Sequence, residues 1–142
     1  MYDTRMNDCL FCKIGAKEIP SEVVHENEHV LAFLDIQPIS LGHTVVIPKA
    51  HAENISDLPD ELVEPYFSAV KLVTDQVKRA LSPDGFTLGM NYGRHAGQAI
   101  DHVHFHIIPR WEEDGGGSIH SVVQAKPSEQ VSVTAERIRN AY

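Results

Sequence analysis

The chain has 142 residues, a length that fits one domain and leaves no room for a second catalytic module. Twelve lysine and arginine residues against twenty aspartate and glutamate residues give a net charge of −8, which argues against a nucleic-acid polymer or an anionic membrane as the main partner. Hydrophobic residues make up 42% of the chain and charged residues 23%, so we expect a folded globular protein and exclude disorder as its main state. No apolar run approaches the ~18 residues of a membrane span, and residues 1–8 lack the apolar stretch of a signal peptide. We therefore expect a cytoplasmic location.

Five runs rich in β-branched and aromatic residues, separated by turn residues, predict strands. They are Glu22–Glu26, His29–Ile36, His43–Lys49, Phe86–Asn91 and His102–Pro109. The connections between the first three runs are too short for a parallel crossover, so we expect these strands to pair antiparallel.

Between the third and fourth runs, apolar residues recur at spacings of three and four, which predicts one long helix with a buried face. These residues are Leu62, Tyr66, Phe67, Val70, Val73, Val77 and Leu81. Ser56 or Asp57 is expected to cap the helix, and Pro59 suits its first turn. Pro65 should delay or bend its start, and Ser82–Gly85 marks its end.

Two shorter helices are predicted near the ends of the chain, over Phe11–Lys17 and from Ser128 onward. The second has an apolar face made of Val131, Ala135 and Ile138. An acidic triplet followed by glycines, Glu112–Ser118, is interpreted as a mobile loop. Taken together, the pattern predicts an α+β domain in which a helix packs on one face of an antiparallel sheet.

Three of the nine histidines stand at alternate positions in the last predicted strand, as His102, His104 and His106. Successive side chains of a strand point to opposite faces, so the three imidazoles should share one face and the apolar residues between them the buried one. A row of imidazoles adds little to packing, which makes a purely structural role the weaker interpretation. Metal binding stays open, because a His-x-His pair on a strand can chelate zinc.

Cys9 and Cys12 are the only cysteines. One such pair makes no disulfide framework and leaves two alternatives, a metal knuckle and a redox pair. A thioredoxin-like redox pair needs a preceding strand and a long following helix, which this part of the sequence lacks. Zinc is the better-supported alternative because it favours thiolate and imidazole ligands.

The segment His102–Ile108 resembles the signature of the histidine-triad nucleotide-binding family, usually called HIT. Further blocks that resemble the family, and in particular its Hint-like branch, are Cys9–Ile14, Leu34–Pro38, Gly42–His51, Ala96–Gln98 and Pro109–Arg110. The likeness covers about residues 9–111 in the family's order. It implies a HIT fold with a five-stranded antiparallel sheet over that core, while residues 112–142 would form a loop and a C-terminal extension.

The resemblance implies a catalytic set of His43, His102, His104 and His106. His104 would be the nucleophile, which agrees with elementary chemistry, because a neutral imidazole can attack phosphorus near pH 7 without a strong base. His43 and His106 would hold it in the productive tautomer and contact the phosphate or the leaving group. One of these two would deliver a proton, and the sequence leaves open which.

A nucleotide site is also implied by the resemblance. Asp35 would accept hydrogen bonds from the ribose hydroxyls, and Asn91 and Gln98 would bind the phosphate and leaving-group oxygens. Gly97 lets the backbone come close, whereas Ala99 stands where relatives often carry serine or threonine and so lacks one hydroxyl contact. The base slot would consist of apolar residues that could equally be core: Leu10, Phe11, Ile14, Phe33 and Ile36.

In the members of the family that have the cysteine pair, the corresponding ligands bind zinc; here these would be Cys9, Cys12, His51 and His102. Four protein ligands leave no open position, so this zinc would be structural and would tie the N-terminal segment to the sheet.

The activity implied by the resemblance is that of a homodimeric nucleotidyl hydrolase or transferase. Its substrates would be nucleoside 5′-phosphoramidates or related purine nucleoside monophosphate derivatives, with a covalent nucleotidyl-histidine intermediate and AMP as product. One alternative is a dinucleoside polyphosphate hydrolase. Another is a zinc-stabilised nucleotide-binding or scaffold protein with vestigial catalysis, against which the complete set of histidines argues.

Overall fold

The structure, a computed structural model, describes residues 8–142. The very start of the chain, where we expect no signal peptide, lies outside these residues. Within them the elements follow in the order α1 Leu10–Gly15, β1 Val23–Glu26, β2 Val30–Leu34, β3 Thr44–Pro48, α2 Asp60–Leu81, β4 Gly85–Gly89, β5 Phe105–Arg110 and α3 Val131–Arg139. Single 3-10 turns lie at Ile55–Asp57, Arg94–Ala96 and Ile119–Ser121.

The five strands form one sheet in the order β1-β2-β3-β5-β4. Every neighbouring pair is antiparallel, which confirms the predicted α+β fold and the pairing of the first three strands. α2 carries the chain from β3, in the middle of the sheet, to β4 at its edge.

The fifth strand begins later than predicted, because β5 starts at Phe105 and both His102 and His104 precede it. The cause is local. β3 ends at Pro48, which has no N–H to continue a ladder, and the Val103 N–H donates instead to the Ala52 carbonyl at 2.7 Å. The predicted alternation of faces nevertheless holds through this segment.

Two clusters of buried side chains cover the two faces of the sheet. Val30, Ala32 and Val46 pack with the apolar face of α2. The alternate residues of the same strands, Leu31, Phe33, Val45 and Ile47, pack with Phe11 and Ile14 of α1. Each such side chain contributes about 1.5–3 kcal/mol relative to an exposed one, so the central strands are fixed from both sides.

The start of α2 differs from the prediction. Its N-cap is Pro59, while Ser56 and Asp57 belong to the preceding turn, where Asp57 pairs with Asn54 in a capping box. Pro65 lies inside the helix and does not delay its start. We attribute this to burial of the predicted apolar face, which offsets the one hydrogen bond that proline removes. No helix in the described part of the chain is both long and apolar enough to cross a membrane.

Arg110, at the end of β5, binds the acidic stretch that we interpreted as a mobile loop. Its guanidinium donates to both carboxylate oxygens of Asp114, at 2.6 and 2.9 Å, and to the Thr87 hydroxyl at 2.9 Å. It also donates to the Gly117 carbonyl at 2.7 Å. The stretch is therefore hydrogen-bonded to the edge of the sheet.

α3 begins at Val131 rather than at Ser128, and none of its residues is buried. Its predicted apolar face therefore does not join the core of this chain, and Val131 is 84% exposed.

Candidate functional site

His104 lies just before β5, with its side chain almost buried against α1. Its Nδ1 is 2.7 Å from the carbonyl oxygen of His102. A carbonyl can only accept, so the ring proton is on Nδ1 and the Nε2 lone pair is available for nucleophilic attack. The Phe11 ring packs edge-on against this imidazole, with 5.0 Å between ring centroids. The middle histidine is thus held in the tautomer that a nucleophile needs.

His43 and His106 form a hydrogen-bonded chain that begins at a backbone amide. The Ile39 N–H donates to His43 Nδ1 at 3.3 Å, which leaves the His43 proton on Nε2. That nitrogen lies 2.9 Å from His106 Nδ1 and donates to it. The His106 proton is therefore on Nε2, and the centroids of the His106 and His104 rings are 5.0 Å apart. His106 therefore presents an N–H donor on the ring that lies next to His104.

Burial keeps both rings of this chain uncharged. It lowers the pKa of His106 to about 4, and the neighbouring His104 and His43 act in the same direction. Burial also lowers the pKa of His43, which the Asp35 carboxylate partly opposes. The hydrogen bonds that run from the Ile39 amide through His43 to His106 require both imidazoles to be neutral.

Asp35 follows β2 directly, at the mouth of the site. One of its oxygens accepts the Gln37 N–H at 2.9 Å, and the other lies 3.7 Å from His43 Nε2. Asp35, His43 and His106 place three potential ligand atoms within 4.8 Å of one another. The Ile39 hydrogen bond argues against a metal ion there, since it keeps a proton on the His43 nitrogen that would have to ligate.

The residues expected to bind the base divide into two groups. Phe11, Ile14 and Phe33 are buried members of the core cluster around α1. Leu10 is 38% exposed and Ile36 is 87% exposed. The first three therefore form the floor behind the histidines, and the other two present apolar surface at the opening.

Gln98 has a role that the sequence did not indicate. Its side chain is buried, and its amide nitrogen donates to the carbonyls of Glu53 at 2.8 Å and Ile100 at 3.0 Å. Its amide oxygen accepts the Gly93 N–H at 2.7 Å. Both amide hydrogens are thus used by the backbone, so in this structure Gln98 shapes its loop. No composition or spacing signal marks such a role.

The other phosphate-site residues lie around this loop and are exposed. Gly97 has a φ of 101°, and a Cβ there would stand 3.5 Å from the Asn91 amide nitrogen. Ala99 lines an open cavity together with Cys9 and His51. Backbone can therefore come close to a ligand at this point, as expected for glycine.

Cys9, Cys12, His51 and His102 bring their four sulfur and nitrogen atoms within 4.8 Å of one another. His102 Nδ1 lies 3.4 Å from Cys9 Sγ and 3.5 Å from Cys12 Sγ. His51 Nδ1 lies 3.3 Å from Cys12 Sγ. The structure thus brings together all four residues that the sequence assigned to a metal, although they come from separate segments of the chain.

The protonation of His102 fits a metal ligand. Its Nε2 donates to the Pro48 carbonyl at 2.8 Å, so the Nδ1 lone pair faces the two sulfurs. In a zinc-binding histidine, the ring nitrogen that does not bind the metal usually donates a hydrogen bond to a group such as a backbone carbonyl. Burial lowers the pKa of this ring to about 4. The donor set, two thiols and two imidazoles, suits zinc.

Glu26 links two of the three segments that carry these four residues. Its carboxylate contacts Lys17, just after α1, at 2.6 Å and Lys49, just before the His51 loop, at 2.7 Å. The pattern of the sequence did not single out this bridge.

Comparison with known proteins supports the resemblance. A family model described as the HIT domain matches residues 16–113. An uncharacterized HIT-like protein of Methanocaldococcus jannaschii is 51% identical over 107 residues, which cover 75% of this chain and 82% of that protein. An adenosine 5′-monophosphoramidase of Schizosaccharomyces pombe is 45% identical over 108 residues, which cover 76% of this chain and 78% of that protein. A HIT family protein from Bacillus anthracis, solved as a crystal structure, superposes with a TM-score of 0.83 at 38% identity and covers 96% of this chain and 98% of its own. The chain therefore belongs to the HIT family.

Proposed function

We propose that the protein is a nucleotidyl hydrolase or transferase that acts on nucleoside 5′-phosphoramidates or related purine nucleoside monophosphate derivatives and releases AMP. The observation that carries this proposal is the hydrogen bond from His104 Nδ1 to the His102 carbonyl at 2.7 Å. It leaves a lone pair on His104 Nε2, and the His106 ring lies next to this imidazole, with 5.0 Å between ring centroids. The phosphoramidase activity named for the fission-yeast relative supports the choice of substrate.

In the first step, His104 Nε2 attacks the α-phosphorus, and the bond from phosphorus to the leaving amine breaks. The departing amine takes up one proton from solvent, because the neutral His43–His106 pair has no proton to give away; His106 Nε2–H donates a hydrogen bond to the leaving nitrogen. The product on the protein is a nucleotidyl group on a positively charged imidazole. The His102 carbonyl, as acceptor of Nδ1–H, stabilises that charge.

In the second step, water attacks the phosphorus and the bond from phosphorus to His104 Nε2 breaks. One proton of the water returns to solvent, which balances the proton taken up in the first step, and AMP departs. Splitting one displacement into two lowers each barrier, and the histidine returns to its starting tautomer.

Nucleotide recognition is assigned to the residues at the opening. The outer oxygen of Asp35 would accept the ribose hydroxyls while its other oxygen stays bonded to Gln37. Leu10 and Ile36 would cover the base against the floor formed by Phe11. Asn91 and the backbone near Gly97 would contact the phosphate.

We propose that Cys9, Cys12, His51 and His102 hold one zinc ion with a structural role. When bound, the ion cross-links the N-terminal segment to the sheet. His102 would then serve twice, because its ring binds at this centre and its carbonyl orients His104. The metal centre would thereby position the nucleophile.

A homodimer is proposed on the surface around β4. This strand lies at the edge of the sheet, and beside it α2 borders an open groove of about 740 Å³ whose apolar lining includes Phe67, Leu72 and Leu88. These three side chains are 38%, 50% and 40% exposed. A second copy that pairs its own β4 antiparallel across a two-fold axis would cover both the open edge and the groove.

The experiment that tests the activity is a turnover profile of the purified protein. Adenosine 5′-phosphoramidate, dinucleoside polyphosphates and nucleotide sugars are compared for release of AMP. We expect the highest kcat/KM for the phosphoramidate. A preference for dinucleoside polyphosphates would favour the alternative hydrolase, and absence of turnover with retained AMP binding would favour a binding or scaffold protein.

A further inference from the structure

The loop that joins β2 to β3 carries His43, and most of this loop lies in solvent. It spans residues 35–43, of which residues 36–39 and 41 are exposed while His43 is buried. A surface loop with few packed side chains opens easily unless other contacts hold it. The position of the His43 ring therefore depends on the contacts at the end of the loop.

Hydrogen bonds hold the backbone on both sides of His43. Its N–H donates to the Ser40 carbonyl at 3.2 Å, and its carbonyl accepts the Asp35 N–H at 2.9 Å. The Thr44 hydroxyl donates to the Gly42 carbonyl at 2.8 Å. These bonds fix the loop to itself and to the start of β3.

A side chain of α2 packs on the loop at Gly42. This residue has a φ of 83°, in the left-handed region that favours glycine. A Cβ at this position would stand 2.3 Å from Leu81 Cδ1 and 3.4 Å from Pro109 Cγ. The methyl group of Leu81, the last residue of α2, therefore occupies the space where any other side chain would begin.

This contact lies beside both partners of the hydrogen bond from His43 to His106. Gly42 directly precedes His43 in the chain, and Pro109 lies on β5, the strand that carries His106. The bond itself spans 2.9 Å, and a hydrogen bond weakens steeply as its geometry departs from linear. A shift of the Gly42 backbone would therefore move the His43 ring out of line with His106.

We propose that Leu81 is a positioning residue for the reaction, because its methyl group packs on Gly42 and so holds His43 in line with His106. This inference rests on the proposed function, in which His106 donates a hydrogen bond to the leaving nitrogen. Leu81 acts through the loop and has no part in binding the nucleotide, which is assigned to Asp35 and the residues at the opening. Its loss should therefore affect kcat more than KM.

Steady-state kinetics of matched variants test the proposal. Leu81→Ala removes the methyl groups that cover Gly42, whereas Val73→Ala removes methyl groups from a fully buried position of the same helix, about two turns earlier. We expect Leu81→Ala to lower kcat for adenosine 5′-phosphoramidate about tenfold, with KM changed by less than about twofold.

The controls separate positioning from stability. Val73→Ala should lower the Tm at least as much as Leu81→Ala and keep the kcat of the unmodified protein. Leu81→Met, which keeps the volume of the side chain, should retain most of that kcat. Equal losses of kcat in Leu81→Ala and Val73→Ala, or no loss in Leu81→Ala, would overturn the proposal.

A spectroscopic readout makes the test independent of the activity. NMR of protein labelled with 15N-histidine reports which nitrogen of the His43 ring carries the proton and how fast that proton exchanges with water. We expect the Nε2–H of His43 to exchange about tenfold faster or more in Leu81→Ala than in the unmodified protein and in Val73→Ala, because a loosened loop opens more often. Unchanged exchange would overturn the positioning role and leave the proposed function standing. An unmodified protein with slow exchange and no turnover of the phosphoramidate would overturn the proposed function, and faster exchange in Leu81→Ala would still support the contact that holds His43.

Discussion

The ring protons of the catalytic set are fixed by groups of the main chain. The His102 carbonyl holds the proton of His104, and the Ile39 amide sets the direction of the bond from His43 to His106. Main-chain groups cannot change protonation near neutral pH, so the tautomers stay fixed over the working range. Substitution of a side chain near these groups changes chemistry only if it moves the backbone.

Asp35 is the residue whose removal should affect binding more than chemistry. We expect Asp35→Ala to raise KM for ribonucleotide substrates by about 10- to 100-fold, because it removes one or two charge-assisted hydrogen bonds. The change in kcat should be much smaller. Discrimination against 2′-deoxy substrates should fall at the same time.

Asp35→Asn is the control for the local turn, because its amide oxygen can still accept the Gln37 N–H. If the unmodified protein already treats ribose and deoxyribose substrates equally, the carboxylate has another role.

His106 should make the stability of the fold depend on pH. Its pKa in the fold is about 4, below the ordinary value of 6.5, so between these values the unfolded chain binds more protons than the folded one. The free energy of unfolding should therefore fall as pH decreases from about 6.5 to about 4.

His106→Asn removes this titration and keeps an acceptor for His43 Nε2–H. Denaturant unfolding of both proteins, with zinc supplied equally, should give a shallower acid slope for the variant. Identical slopes would mean that His106 does not titrate in this window.

At the scale of elements, the apolar periodicities predicted all five strands and α2, but not where β5 begins. That boundary depends on Pro48 and on the bond between Val103 and Ala52, which is a contact between distant segments. The spacing of His102, His104 and His106 predicted that the three rings share one face, which the ring contacts confirm. It did not indicate their different partners. His102 lies in the cluster with the cysteines, His104 bonds to the His102 carbonyl, and His106 accepts from His43.

The loop that precedes the histidines should depend on Gln98. Gln98→Met keeps the shape of the side chain but leaves the partly buried carbonyls of Glu53 and Ile100 without this donor. We expect it to lower the free energy of unfolding by about 1–3 kcal/mol, as measured with urea. Asn91→Ala, at an exposed position of the same loop, should cost much less, and equal losses would contradict the assigned role.

The metal cluster links α1, the end of β3 and the segment before β5. We expect one zinc per chain after exhaustive dialysis. The double variant Cys9→Ser, Cys12→Ser should lose the metal and about several kcal/mol of stability.

Catalysis should decline in the same variant, since the His102 carbonyl would lose its anchor. Elemental analysis and thermal unfolding measure the first two effects, and metal retained at full stoichiometry by the variant would exclude this site.

At the scale of the whole molecule, the described residues 8–142 of one copy leave three features uncovered: the β4 edge, the groove beside α2, and the apolar face of α3. Sequence periodicity identified the α3 face, and the structure leaves that face outside the core of the chain. An apolar face that is evident from the sequence indicates that the helix packs against another surface. It does not show whether that surface belongs to the same chain or to another molecule. A two-fold dimer that pairs its β4 strands, as proposed above, would cover the first two features.

The nucleophile assignment predicts a large and specific loss on substitution. We expect His104→Ala to lower kcat by on the order of 10⁴, about 5.5 kcal/mol of barrier, while AMP binding and the oligomeric state change little. His25→Ala, at a histidine of β1 outside the site, should keep full activity. More than a few per cent of residual activity in His104→Ala would point to direct attack by water.

The stereochemical course at phosphorus tests the covalent mechanism most directly. A substrate with a chiral phosphorothioate at the α-phosphorus is hydrolysed in isotopically labelled water, and the configuration of the product is determined. Two successive in-line displacements, first by His104 and then by water, must give net retention. Net inversion would mean a single displacement by water, with the histidines serving only as acid, base and phosphate ligands, and would contradict the account.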